Sequence, residues 1–203
     1  MSLLGATAMV GMAIGFAGQG HAALVSCPGS FTADGTAKVN NGSPAKLTAA
    51  SDCQYITPAD QSNVATIANI NTAGFFGFSD WMSNGQTQVD TNNQSLGTWS
   101  ISNVDFVSND YIIVFKDGAN TNLTAFLFNE SYASGKWSTP FTDPPFNFPG
   151  ATTQRDVSHY TIAKRAAGTP PPPTDVPEPA SLALFGVGLL GLRYAARRRK
   201  HVA

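Results

Sequence analysis

The chain has 203 residues, of which 12% are charged, 42% hydrophobic and 10% aromatic. Asn, Ser and Thr together fill 50 positions, which is too few helix formers for a helical bundle, while the apolar share is too high for a disordered chain. Residues 24–176 hold 7 basic against 12 acidic groups, whereas five of the chain's 12 basic residues crowd into the last eleven positions; a body of that sign argues against nucleic acid as a partner.

Residues 1–22 read as a secretory signal peptide. Leu3 to Ala17 is apolar or small throughout, no Lys or Arg occurs before Lys38, and Gly20-His21-Ala22 forms a small-residue cleavage site ahead of Ala23. Leu24-Val25-Ser26-Cys27 resembles a lipobox, but it lies several residues beyond the apolar run. In an exported chain with two cysteines, Cys27 and Cys53 are expected to form one disulfide. Closing that loop would stabilise the fold by about 3 kcal/mol in the chain-entropy model.

From Ala23 to Ala167 the pattern is that of strands. Strand segments are expected at residues 45–49, 53–57 and 77–82. A short helix between them would be capped by Asp60 or Ser62 and carry Val64, Ile67 and Ala68 at helical spacing. Thr98 to Val104 alternates polar and apolar residues, as a strand with one wet face does. Tyr111 to Lys116 and Leu123 to Phe128 are continuous apolar runs, which suits strands buried on both faces. The Asp- and Asn-rich link between them predicts a hairpin. Further strands are expected over 136–141 and, as the closing strand, over 157–162. Short strands with turn signals between them predict an all-β domain, an antiparallel β-sandwich of jelly-roll type with one short helix.

Candidate chemistry in this body is sparse. His159 is the lone histidine between the termini, Glu130 the lone glutamate before the C-terminal region, and no Gly-x-Ser-x-Gly elbow occurs. Nothing in the spacing of Asp80, Asp90, Asp105, Asp110 and Asp117 selects the facing carboxylate pair a glycosidase needs. The body is therefore expected not to be an enzyme. Asp117, Asn120 and Asn122 bring oxygen ligands together on one loop and are a candidate Ca²⁺ site, although Phe128 replaces the bidentate Glu of an EF-hand. No other cofactor is expected. Trp81 and Trp137, with Asp80 beside the first, are candidate sugar-binding residues, because exposed indoles stack on sugar rings. Trp99, in step with Ile101, reads as core.

The C-terminal end carries the most specific pattern. Residues 168–176 include four consecutive prolines, Pro170 to Pro173, and predict a stiff extended spacer. Pro177-Glu178-Pro179 follows, then an apolar segment from Ala180 to Leu192 that extends to Ala196 if Arg193 snorkels, then Arg197, Arg198, Arg199 and Lys200. The segment reads as a C-terminal transmembrane helix, and its basic end places the tail in the cytoplasm and the body outside. These three elements, in this order over residues 177–200, resemble the PEP-CTERM sorting signal. The resemblance implies processing by an exosortase, a membrane cysteine transpeptidase, in Gram-negative bacteria that make exopolysaccharide. Gly135-Lys136-Trp137 and Val157 to Thr161 are, in addition, similar to the last strands of many β-rich PEP-CTERM ectodomains.

The expected organisation is a signal peptide with its signal helix (1–22), a β-sandwich ectodomain (23–167), a Pro-rich spacer (168–176) and the sorting signal (177–200). The expected role is structural or adhesive, at the cell surface or in the extracellular matrix, against exopolysaccharide, with the inner membrane as a station during sorting. The alternative is a carbohydrate-binding module, Ca²⁺-dependent or not, that uses exposed aromatics.

Overall fold

A computed structural model of the chain describes residues 24–56, 66–88, 95–117 and 122–168. The expected signal peptide, nearly all of the expected spacer and the sorting signal, with the segment expected to span the membrane, lie outside the described residues. Among the described residues no helix is long and apolar enough to cross a membrane. In chain order these residues form β1 (Val25–Ser26), β2 (Val39–Asn40), β3 (Ala50–Ile56), α1 (Ile67–Ala73), β4 (Met82–Gln88), β5 (Leu96–Ser100), β6 (Asn109–Asp117), β7 (Leu123–Phe128), β8 (Ser134–Ser138) and β9 (Val157–Ala166).

The strands pair into two antiparallel sheets. The larger has the order β1-β3-β7-β6-β9-β4 and the smaller β2-β8-β5. The apolar runs at 111–116 and 123–128 form the expected hairpin, with Ile113 opposite Phe126. Period-2 alternation explains why both runs are continuously apolar. On β6, Tyr111, Ile113 and Phe115 enter one core with Trp99 and Trp137 of the smaller sheet. Ile112 and Val114 enter a second core with Ile70 of α1, Phe75 and Trp81. The six-stranded sheet is thus covered by the smaller sheet on one face and by α1 with its following turn on the other. Phe115 meets Trp137 with ring centroids 5.5 Å apart, and Trp99 meets Phe128 at 4.7 Å.

The helix starts later than its sequence pattern suggests. Its cap is Thr66, whose Oγ1 accepts from the Asn69 amide, and Gly74 ends it at φ 69°. The expected caps Asp60 and Ser62, and Val64, lie outside the described residues. Asn71 then docks the next segment like a strand partner: its Nδ2 donates to the Trp81 carbonyl (3.0 Å), and its Oδ1 accepts from the Trp81 amide (2.8 Å).

Several strand expectations are corrected. Residues 45–49 are not a strand: they leave a turn with Lys46 at φ 47° and are tied to β2 by a bridge between Thr48 and Asn40 and by the Ala49 amide, which donates to the Val39 carbonyl at 3.0 Å. Residues 75–77 form a 3₁₀ turn with Phe76 at φ 59° and Gly77 at φ 81°, so pairing begins only at Met82. The strand expected over 98–104 ends at Ser100, ahead of a turn with Asn103 at φ 48°. The one expected over 136–141 is Ser134–Ser138, since Pro140 has no N–H to give a ladder. β9 does not close a sheet but lies between β6 and β4. The split of six strands and three also departs from the eight-stranded, two-Greek-key pattern of a jelly roll.

The cysteines form the expected disulfide, Cys27–Cys53, with Cα atoms 5.3 Å apart. It reinforces the two-residue edge strand β1 against β3, where the Cys27 amide also donates to the Cys53 carbonyl at 2.9 Å.

Candidate functional site

The smaller sheet is built on a repeated sequence pattern. β5 reads Leu96-Gly97-Thr98-Trp99-Ser100, and β8 reads Ser134-Gly135-Lys136-Trp137-Ser138. Their antiparallel register sets Gly97 opposite Trp137 and Trp99 opposite Gly135, so each indole covers the glycine across from it. A Cβ on Gly97 would run into the Trp137 ring, and one on Gly135 into the Asn40 carbonyl and the Trp99 ring. Both indoles are hydrogen-bonded: Trp99 Nε1 donates to the carbonyls of Asn40 (3.3 Å) and Lys136 (3.2 Å), and Trp137 Nε1 donates to that of Thr98 (3.1 Å). Because the rings point inward, the intervening Thr98 and Lys136 point outward.

This geometry corrects the sugar-platform reading of the tryptophans. Trp137 is 2% exposed and Trp81 1%, both locked in the core by aromatic neighbours and, for Trp81, by the Asn71 bridge. Trp81 packs edge-on against Phe78 at 5.9 Å, and its buried Nε1 has no hydrogen-bond partner. Neither indole offers a face to a sugar. Trp99 is core, as its alternation suggests.

Asp80 belongs to an ion cluster that the sequence pattern does not reveal. Arg165 of β9, 1% exposed, holds Asp80 through Nε (2.9 Å) and Nη2 (3.3 Å) and Asp110 through Nη1 (2.7 Å). Its guanidinium also lies 3.7 Å from the centroid of Phe78. Asp80 and Asp110 are thus joined by an arginine rather than facing each other across a cleft.

Two residues of the Ca²⁺ candidate, Asp117 and Asn122, are engaged with each other and with an arginine. Asp117 is fully buried; its Oδ1 accepts from the Asn122 amide (3.0 Å) and its Oδ2 from Asn122 Nδ2 (2.7 Å). Arg155 Nη1 reaches the same Oδ2 at 3.4 Å. Donors occupy both carboxylate oxygens, and an arginine supplies the positive charge a cation would bring. Asn120 lies outside the described residues. Among the described residues no group of three or more His, Cys, Asp or Glu is placed to hold a metal.

His159 sits half-buried at the end of this cluster. Its Nδ1 is 3.0 Å from Ser158 Oγ, which also lies within hydrogen-bond reach of the Lys116 and Asp117 carbonyls. Burial, then the Lys116 charge, push its pKa below the ordinary histidine value, against a smaller opposing effect of the Ser158 hydrogen bond.

The feature open to solvent is the outer face of the smaller sheet. The loop after β2 folds over its edge: Asn40 Oδ1 accepts from the Gly42 amide (2.9 Å), and Asn41 Oδ1 accepts from the amide and hydroxyl of Ser43 (3.1 and 2.8 Å). Between this loop and β5 runs a groove of about 500 Å³, with Ser43, Pro44, Lys46, Leu96, Thr98 and Lys136 among its lining. A second depression of about 370 Å³ shares Gly42, Thr98 and Lys136 with it and continues past Ser100 and Ser134. Lys38 is close enough to Lys46 that the neighbouring charge, after burial, lowers its pKa; its ammonium lies 5.3 Å from the centroid of Phe31. Sequence reasoning missed this patch. Lys46 and Lys136 line one groove only because the loop after β2 lies against β8, where Asn40 stands opposite Lys136.

The fold and the disulfide define a β-rich, disulfide-bonded body joined to a C-terminal segment of different character. Residues 175–200 of that segment match the family model described as the PEP-CTERM protein-sorting motif. The chain therefore carries this sorting signal, which implies export and membrane-associated sorting by an exosortase. Neither the curated proteins nor the solved structures compared with the chain gave a match.

Proposed function

We propose that this is a non-enzymatic cell-surface or matrix protein of a Gram-negative bacterium. It is exported by the signal peptide at residues 1–22, held in the inner membrane by its C-terminal helix during sorting, and given a structural or adhesive role against exopolysaccharide. The observation that carries the reading is the sorting motif at residues 175–200, placed directly after a proline spacer. Physical reasons support the arrangement. A protease embedded in a membrane needs an extended, unpaired segment, and the X-Pro steps around Pro177-Glu178-Pro179 keep the chain out of helix and ladder. Arg197, Arg198 and Arg199 fix the orientation that leaves the body outside.

The body suits that location. A β-sandwich ectodomain with one disulfide, few charges and wet faces rich in Ser, Thr and Asn tolerates an oxidising exterior. A module that binds sugar through exposed tryptophans, or through Ca²⁺ at Asp117 and Asn122, is disfavoured by the burial of Trp81 and Trp137 and by Arg155 at Asp117. The test is fractionation of cells with intact or inactivated exosortase, together with a deletion of this chain's gene. The expected result is protein on the surface or in the matrix of intact cells, retention in the inner membrane without the exosortase, and a matrix that detaches more readily in the deletion strain. An unchanged location without the exosortase would refute the sorting reading, and an unaltered matrix would refute the adhesive one.

A further inference from the structure

We propose that the groove on the outer face of β2-β8-β5 binds an anionic polysaccharide, a chain of uronic-acid type, with Lys46 and Lys136 as its carboxylate-binding groups and Lys38 as a supporting charge. The inference rests on the reading of the protein as an exopolysaccharide partner and names the surface that makes the contact.

Charge distribution carries it furthest. Residues 24–176 have a net charge of −5 and only 7 basic groups. Arg155 and Arg165 are ion-paired, Lys116 is buried with its Nζ on the Asp117 carbonyl, and Lys164 lies in the field of Asp105. The remaining three are Lys38, Lys46 and Lys136, of which Lys38 lies over Phe31 in a separate depression with Thr142 and Pro144. Lys46 and Lys136 line the same groove, and Lys38 feels the charge of Lys46. Among the described residues no carboxylate lies within ion-pair distance of any of the three. No acidic side chain lines either depression. Asp34, on the neighbouring loop, accepts from the Thr48 amide at 2.7 Å. Lysines left without an ion-pairing carboxylate in an otherwise acidic body form a surface complementary to an anion.

The rest of the lining selects a sugar polymer. Ser43, Thr98, Ser100, Ser134 and Ser138 supply hydroxyls that can donate to or accept from sugar hydroxyls. The two depressions adjoin through Thr98 and Lys136, making an open trough that suits a chain passing through rather than a closed pocket for a small molecule. Leu96, 58% exposed, offers an apolar surface to a sugar ring's C–H face. The indoles beneath are buried, so the stacking platforms that single-stranded nucleic acid requires are missing from this lining.

The test uses the full-length chain in non-ionic detergent, with fluorescently labelled oligogalacturonate as the probe and a neutral maltooligosaccharide of equal length as the comparison. Expected are saturable binding of oligogalacturonate that weakens as salt rises, at least a tenfold loss in the Lys46→Gln/Lys136→Gln variant, and loss in Thr98→Glu, which places a carboxylate between the lysines. Lys164→Gln, which removes a charge from the larger sheet, should bind as the parent does. No saturable binding of oligogalacturonate, equal binding of the neutral oligomer, or an equal loss in Lys164→Gln would each overturn the proposal. An intact exosortase-dependent location alongside absent binding refutes the groove alone. Binding alongside an unaltered matrix in the deletion strain refutes the adhesive role and leaves the groove standing.

Discussion

Two sets of cations divide the folded body. Arg155 and Arg165 point inward and meet carboxylates and aromatic faces: Arg165 joins Asp80, Asp110 and Phe78, and Arg155 joins Asp117 and lies 4.3 Å from the centroid of Phe148. Lys38, Lys46 and Lys136 lie at the smaller sheet and the loop over it with no carboxylate in ion-pair reach among the described residues. The formal charge is the same and the consequence differs. A guanidinium with a fork of donors closes a structure, whereas an ammonium left without a counter-charge keeps a surface available to a partner. The inner set should therefore govern stability and the outer set binding, and the two can be separated by substitution.

The largest expected effect comes from breaking the inner set. Arg165→Met leaves Asp80 and Asp110 side by side without their cation and should destabilise by about 3 kcal/mol, the lower end for a broken buried pair because both carboxylates keep some contact with water. Urea unfolding followed by tryptophan fluorescence measures it; a loss below about 1 kcal/mol, the level of an exposed pair, would place Arg165 with the outer set. The paired Cys27→Ser/Cys53→Ser change should lower stability by about 3 kcal/mol, since it reopens a loop with a sequence separation of 26. Gly135→Ala drives a methyl into the Asn40 carbonyl and the Trp99 ring and should lose about 1–3 kcal/mol by overpacking. Gly35→Ala is no control for it, because Gly35 has φ 83°; Gly29→Ala, with nothing near its added Cβ, is. Lys136→Gln should shift the same unfolding curve by no more than about 0.5 kcal/mol, as for a surface change.

Much of the fold was legible because burial on both faces leaves a local signature. The runs Tyr111 to Lys116 and Leu123 to Phe128 reveal their hairpin without any knowledge of their neighbours, and the two cysteines reveal their bond from compartment and number. Positive φ at Lys46, Phe76 and Asn103 was not legible, because such values are set by tertiary packing that residue type alone does not announce. The groove was hidden for a related reason. Lys46 comes from a loop that reads as a strand, and Lys136 gains its meaning only opposite Asn40. Gly-x-Trp occurs twice, at Gly97 and Gly135, and this repeat was the available signal for the β5–β8 register. The sorting motif was legible to within two residues of its matched span, since its recognition depends on order along the chain and not on folding.

The smallest expected effect concerns pH and falls outside both sets, at His159 beside the buried Lys116. Its folded pKa lies below the ordinary 6.5, burial first and Lys116 second, so the unfolded chain takes up the proton more readily. Stability should be undiminished above about pH 6.5, fall as the pH drops from there through the lowered folded value, and level off below it. His159→Gln should flatten that part of the profile of unfolding midpoint against pH; an unchanged slope would assign it to the carboxylates.

The most direct measurement of the central claim is the intact mass, with the thiol state, of the mature protein recovered from its own cells. The account predicts a chain that begins at Ala23, has lost the apolar segment from Ala180 to Leu192 when the exosortase is active, and carries Cys27 joined to Cys53. A protein recovered from the cytosol with both ends uncut and both thiols free would contradict it.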